Sequence, residues 1–272
     1  MFKMSNISKS KIFARNIRIE ALKMVSASNS SHIGSCLSVA DILAVLYCSI
    51  IKHKPKKKNF LKRDKLILSK GHASAIFYAT LAEAGYFNKN LLKKFCVNSS
   101  NLFGHVTKNN TPGVEFSTGS LGHGLSVACG MALSEKIIKS NRKIYCIISD
   151  GECNEGAVWE AALFASHHKL NNLTLIIDYN KIQSLGRVSE VMNLSSLLKK
   201  WKSFNWSAHE LDGHSHQQLY TYLNKESKAR PKVIIANTIK GKGVRFMENK
   251  LLWHYKSPDK VQLDKAIKKL SL

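Results

Sequence analysis

The sequence is short of acid. Aspartate and glutamate number 18 against 42 lysines and arginines, which leaves a formal net charge of +24 over 272 residues. It has no apolar run of the roughly 18–20 residues that a membrane-spanning helix requires. The longest stretches, Ile42–Ile51 and Leu173–Ile177, fall short of that. No apolar segment of secretory-signal type opens the chain, although its basic, serine-containing, acid-poor start has the character of a transit peptide. Cys36, Cys48, Cys96, Cys129, Cys146 and Cys153 form no CxxC pair, so neither a disulfide framework nor a zinc site is supported. Most of them stand in apolar stretches, where a free thiol behaves as a small hydrophobe. The expectation is reduced, buried thiols in a cytoplasmic protein. No low-complexity linker and no internal repeat divides the chain, so residues 1–272 read as one domain. Hydrophobic residues make up 44%, enough for a core and too much for a disordered chain.

A charge of +24 invites a nucleic-acid reading. The densest basic run is KHKPKKKNFLKR, Lys52–Arg63. It lacks the interleaved aromatics that stack bases, and no helix-turn-helix, RRM or KH signature is present. A solvated loop between a helix and a strand is the expectation. An acidic partner or an anionic substrate explains the charge at least as well.

What is present is a pattern of strands alternating with helices. KLILS (Lys65–Ser69), KIYCIIS (Lys143–Ser149), LTLIIDY (Leu173–Tyr179) and KVIIANT (Lys232–Thr238) are near-continuous apolar runs, the kind covered on both faces in a parallel sheet. Helical spacing is read over Ser8–Ser28, Ser38–Ile51 with Ser38 as its cap, Ile76–Ala84, Lys89–Phe95, Leu121–Ile138, Ala157–His168, Gln217–Ser227 and, as a basic amphipathic tail, Asp259–Leu272. The fold class is therefore α/β, a mainly parallel central sheet flanked by helices.

The few acids are unevenly placed. Asp150, Glu152, Glu155 and Glu160 lie within eleven positions. Asp150 follows a buried strand, at the end where open α/β sheets bind ligands. The next strand ends at Asp178-Tyr179-Asn180. If the two strands are neighbours, Asp150 and Asn180 meet in one crevice as hard-oxygen donors suited to Mg²⁺ or Ca²⁺. Equally, both residue types are common in the turns that follow strands. Between Gly151 and Asn180 lie 28 residues. That arrangement resembles the thiamine-diphosphate-binding pattern, Gly-Asp-Gly followed by a stretch of this length and an Asn, with Ser149 in place of the first Gly.

Other segments strengthen the resemblance and narrow it. SHIGSCLSVADILAVLY (Ser31–Tyr47), RDKLILSKGHAS (Arg63–Ser74), FGHV (Phe103–Val106), GVEFSTGSLGHGLSVACGMAL (Gly113–Leu133), SDGECNEGAVWEAA (Ser149–Ala162), DYNKIQ (Asp178–Gln183) and GKGVRFMENKLLWH (Gly241–His254) occur in the order found in transketolases. The chain resembles the N-terminal, diphosphate-binding region of that family, in the version of its stand-alone subunits. The resemblance implies that Asp150, Asn180 and the carbonyl of Ile182 hold Mg²⁺ or Ca²⁺. It implies that His72 and Gly151 contact the thiamine diphosphate, with Gly119, Ser120 and Leu121 along it. His32, His105 and His254 would face the substrate, and Glu155 and Glu160 would lie at a subunit interface. For any one histidine a hydrogen-bonded loop or core role is the ordinary reading, which His123, His167, His168, His214 and His216 keep. Lys181 and Leu185 depart from the family's loop.

The implied activity is transfer of a two-carbon ketol unit from a ketose phosphate to an aldose phosphate. The implied partner is a C-terminal subunit carrying the pyrimidine-binding domain and its Glu, in a heterotetramer of two of each chain. The nearest alternative is half of another thiamine enzyme, such as a deoxyxylulose-phosphate-synthase-like one. A more distant one is a non-catalytic basic protein that binds nucleic acid.

Overall fold

The computed structural model describes residues 4–57, 60 and 62–271 of the chain, with the side chains of Met4 and Ser5 left out. The four apolar runs form strands, and a fifth joins them: β1 (Lys65–Leu68), β2 (Ile144–Ser149), β3 (Leu173–Tyr179), β4 (Ser207–Asp212) and β5 (Lys232–Asn237). They make one sheet in the order β1-β2-β3-β5-β4, parallel at every pairing. β2 and β3 are adjacent, with Ser149 opposite Asp178, so the residues after each strand end side by side.

Each strand feeds two cores because successive side chains point to opposite faces. Tyr145, Ile147, Ile176 and Ile234 pack on one side. Ile144, Cys146, Leu175, Ile177 and Ile235 pack on the other. The first side is covered by α1 (Met4–Ser28), α2 (Ile33–Val45) and α3 (Ser74–Glu83). The second takes α4 (His123–Ile137) and α5 (Gly156–His167), then, after the short α6 (Val188–Val191), α7 (Leu197–Ser203). Residues of α8 (His216–Asn224) and α9 (Lys260–Ser271) return to the first side. This is the expected α/β architecture.

Several expectations are corrected. Ser38 does not cap a helix. α2 begins at Ile33, His32 holds the preceding position at φ 75°, and every residue of α2 is buried. A helix apolar all round has no stripe from which its start can be read. α2 runs on through a π-helical turn, Leu46–Ile50. Together they make an 18-residue stretch, Ile33–Ile50, of mean hydropathy 1.9, long and apolar enough to cross a membrane by length and composition. Here 83% of it is buried within the fold. The segment Lys89–Lys94 is 3₁₀ rather than α. β4 has no apolar run to read: SAHELD has four polar residues among six, lies on a sheet edge, and buries only Ala208 and Leu211.

The transit-like start falls partly on Met1–Lys3, outside the described residues; from Ser10 onward α1 supplies buried residues, including Ala14, Ile17 and Leu22. All six thiols are free, but Cys48 and Cys96 are exposed. Of the basic run, Lys58, Asn59 and Leu61 lie outside the described residues. Lys52, Lys54, Lys56, Lys57 and Lys62 are exposed on the connection into β1, as expected of a solvated loop.

Candidate functional site

The carboxyl ends of the strands open into one cavity of about 440 Å³. Past β1 the chain delivers His72, past β2 Asp150 and Gly151, past β3 Asn180 and Ile182, and past β5 Lys240. His32 enters at the start of α2, His105, Gly119 and Leu121 from the glycine-rich segment, Glu155 ahead of α5, and His254 from the 3₁₀ turn Leu251–His254. Two larger surface hollows, of about 690 and 640 Å³, lie beside Lys52–Arg142 and Glu20–Val97. Neither gathers a comparable set of histidines and carboxylates.

The four histidines singled out in the sequence meet. The ring of His32 lies 5.2 Å from that of His72, 5.8 Å from His105 and 4.9 Å from His254. The His32 amide donates to the His254 carbonyl at 2.8 Å, which ties the two distant segments together. Gly71 sets the turn that carries His72, since a Cβ there would stand 2.4 Å from the Thr118 carbonyl oxygen. Ser120 and Glu160 are exposed and stand outside the cavity lining.

Two buried lysines not assigned from the sequence belong to the surrounding polar network, Lys240 in the cavity lining and Lys70 outside it. Lys70, wholly buried, pairs with Asp178 and donates to the Ser35 carbonyl at 3.1 Å. Asp178 also accepts from Ser38 Oγ at 2.6 Å and from Thr238 Oγ1. Burial alone would raise the Asp178 pKa; the Lys70 charge and these hydrogen bonds outweigh it and hold it below the ordinary range. Lys240, 1% exposed, donates to the Ile182 carbonyl at 2.8 Å and to His254 Nδ1 at 2.9 Å. Burial drops its pKa to about 8. Among 42 basic residues neither lysine stands out by residue type; their burial sets them apart.

Burial first of all, and then these cations, push three of the four histidines below their ordinary range. Burial, with His105 and Lys240, lowers His32 to about 4, and burial with Lys240 lowers His254 to about 3. His72 is pushed well below its ordinary value by burial and Lys70. Because Lys240 donates to Nδ1, neutral His254 carries its one N–H at Nε2. Asp150 moves the other way. Burial and the nearby Asp178 raise it to about 6, against hydrogen bonds from the Lys181 and Gly151 amides.

The donor set fits a hard divalent cation. Asp150 is a buried carboxylate whose oxygens meet only peptide N–H groups, so its charge lacks a contacting cation. The Asn180 amide and the Ile182 carbonyl add neutral oxygens at the same cavity. Among the described residues no group of three or more His, Cys, Asp or Glu side chains could hold a metal. An ion here would therefore rest on one carboxylate and keep positions for other oxygens, as Mg²⁺ does with phosphates. Asn154 Oδ1 and Gln183 Nε2, at the same wall, are buried without a partner.

Comparison with known proteins agrees with this geometry. The chain is 41% identical over 240 residues to one of the subunits of the apulose-4-phosphate transketolase of Actinobacillus succinogenes, covering 88% of this chain and 87% of that one. It is 39% identical over 243 residues to the 6-deoxy-6-sulfo-D-fructose transketolase subunit SqwG of a Clostridium species, covering 89% and 88%. Among solved structures it superimposes on transketolase from Leishmania mexicana with a TM-score of 0.92 at 28% identity, covering 96% of this chain but 41% of that one. Residues 9–268 match the family described as "Transketolase, thiamine diphosphate binding domain", and the chain belongs to the transketolase family.

Proposed function

We infer that this chain is the diphosphate-binding half of a two-chain transketolase. The observation that carries the reading is the convergence, at one strand-end cavity, of four histidines, a hard-oxygen donor set and the buried Lys240. Asp150, Asn180 and the Ile182 carbonyl would hold Mg²⁺ or Ca²⁺, and His72 and Gly151 would contact the diphosphate of thiamine diphosphate. Gly119, Ser120 and Leu121 would lie along the cofactor. Lys240, in the cavity lining, adds positive charge where a diphosphate needs it. When bound, the cofactor supplies an electron sink that allows a carbon–carbon bond of a ketose to break and a two-carbon unit to pass to an aldose.

This chain's own part is orientation and proton transfer. His32, His105 and His254 face the substrate's carbonyl and hydroxyls. Neutral imidazoles near pH 7 can donate to or accept from those oxygens, and the depressed pKa values of His32 and His254 suit them to remain neutral. Glu155 at the rim and the exposed Glu160 on α5 would meet the partner subunit. That partner would supply the pyrimidine-binding domain and its Glu, in a heterotetramer of two of each chain. The subunit names of the relatives above support a two-chain assembly. The cytoplasm is the proposed compartment, in keeping with six free thiols.

The test is to purify the chain with the product of a candidate partner gene and assay ketol transfer with thiamine diphosphate and Mg²⁺. Activity is expected only from the pair. No activity in any combination, together with no cofactor binding by calorimetry, overturns the reading. Product analysis with pyruvate in place of a ketose phosphate separates it from a deoxyxylulose-phosphate-type reaction.

A further inference from the structure

A second polar network lies beneath the cavity, centred on Asp41 of α2. Asp41 is 5% exposed and accepts four N–H groups. Arg18 of α1 donates through Nη1 at 3.0 Å and Nη2 at 2.6 Å. His214 donates through Nδ1 at 2.7 Å, and His216 bonds through Nε2 at 3.1 Å. Burial would raise the Asp41 pKa, but the Arg18 charge and the histidine hydrogen bonds hold it well below the carboxylate range.

The geometry fixes which nitrogen of His214 carries the proton. Its Nε2 receives the backbone N–H of Ile239 at 2.9 Å. A peptide N–H can only donate, so Nε2 is the acceptor and Nδ1 carries the hydrogen given to Asp41. Asp41 thus holds His214 in the one neutral form that can accept from Ile239.

That bond falls where the sheet stops. β5 ends at Asn237, and Thr238 still donates its amide to the Tyr179 carbonyl. Ile239 is the first residue past the ladder, and the next is Lys240, whose Nζ bridges the Ile182 carbonyl and His254. The far side of Lys240 is tied by backbone bonds, Gly241 to the Gly34 carbonyl and Asn249 to the Lys240 carbonyl. On the near side, the imidazole of His214 holds the Ile239 amide. The loop can reach it because Gly213 lies flat against β5: a Cβ there would stand 2.4 Å from Thr238 Cγ2.

We propose that Arg18, Asp41 and His214 form a relay that positions Lys240, with His214 the positioning residue. The relay links α1, on the flank of the fold, to the wall of the cavity. Its consequence for thiamine diphosphate rests on the transketolase reading; its consequence for Lys240 does not.

Two measurements on the full chain test it. The first is differential lysine acetylation read by mass spectrometry, without cofactor. Lys240 should be protected in the unmodified chain, several-fold more reactive in His214→Phe, and protected again in His214→Gln, whose Oε1 can accept from Ile239. Ser10→Ala is the control: it removes the 2.7 Å contact to His216 Nδ1 and leaves His214 in place, so its Lys240 should stay protected. The second is calorimetric thiamine diphosphate affinity of the assembled pair, expected to weaken about five- to tenfold in His214→Phe, the worth of one buried hydrogen bond, and to recover in His214→Gln. Unchanged Lys240 reactivity in His214→Phe, or equal exposure in Ser10→Ala, overturns the relay. An unmodified pair that binds no cofactor, with the acetylation pattern as expected, overturns the transketolase reading and leaves the relay standing.

Discussion

At the scale of single residues, burial moves several cavity groups away from their ordinary pKa values, His32, His72 and His254 downward and Asp150 upward. An unfolded histidine takes up its proton near pH 6.5, whereas folded His32 does so at about 4 and folded His254 at about 3. On acidification below 6.5 the unfolded chain therefore binds protons that the folded one refuses, and stability falls across that window. Above 6.5 these groups contribute no slope. Melting temperature followed from about pH 7.5 to 4 should drop, and His254→Asn should make the decline shallower; a profile identical in the variant would refute this. Lys70 and Asp178 make a sharper case, since both are 0% exposed. Lys70→Met leaves a carboxylate buried without its cation and should cost about 3–5 kcal/mol in urea denaturation. Adding Asp178→Asn should restore part of the loss, because the stranded charge is then gone. The sequence showed the four histidines, Asp150 and Asn180 because each sits in a motif. Lys70 and Asp178 stand inside two of the same motifs and Lys240 beside another, but what makes them members of the network is their burial, which spacing along the chain does not display.

At the scale of elements, the site depends on strand ends and tight turns. β2 and β3 run parallel in register, which is why residues 150 and 180 meet. The turn after β1 depends on Gly71 pressed against the Thr118 carbonyl. Gly71→Ala forces backbone apart, so chemical denaturation should show a loss of about 1–3 kcal/mol, and a crystal structure should show His72 displaced from His32. A variant as stable as the parent, with the two rings in place, would contradict this close approach. The strands legible in the sequence were those apolar throughout, β1, β2, β3 and β5. β4 was not, since an edge strand solvated on one side need not be apolar. The start of α2 was missed for the opposite reason: buried on every side, it offers no polar face to mark its phase.

At the scale of the whole molecule, two features bear on the proposed partner. The exposed α5 surface includes Glu160, Leu163 and Phe164, the last two 59% and 39% exposed, beside a cavity open at its rim. The net charge of +24 has no acidic counterpart on the chain itself. If the basic surface lies at the subunit contact, the partner should be markedly acidic, and the affinity measured by ultracentrifugation should fall as salt rises from about 50 to 500 mM, because screening shortens the reach of charge. Salt-insensitive assembly with a neutral or basic partner would remove the interface as the explanation of the charge. Thiamine diphosphate with Mg²⁺ should raise the melting temperature of the assembled pair, since a ligand bound only by the folded state stabilises it. Asp150→Asn should abolish most of that rise.

The sequence alone determined the class of fold and the chemistry on offer. Apolar strands alternating with helices can bury themselves only as a parallel sheet covered on both faces, and the ordered motifs named the family. Tertiary structure decided what that chemistry becomes. It brought together His32, His72, His105 and His254, which span more than two hundred positions. It made a cavity-wall cation of Lys240, buried Lys70 against Asp178, and joined Asp41 and His214 to the backbone beside Lys240. The physical reason is that spacing along a chain sets local conformation, whereas burial and charge–charge proximity, which set pKa values and hydrogen-bond partners, exist only once distant segments are packed.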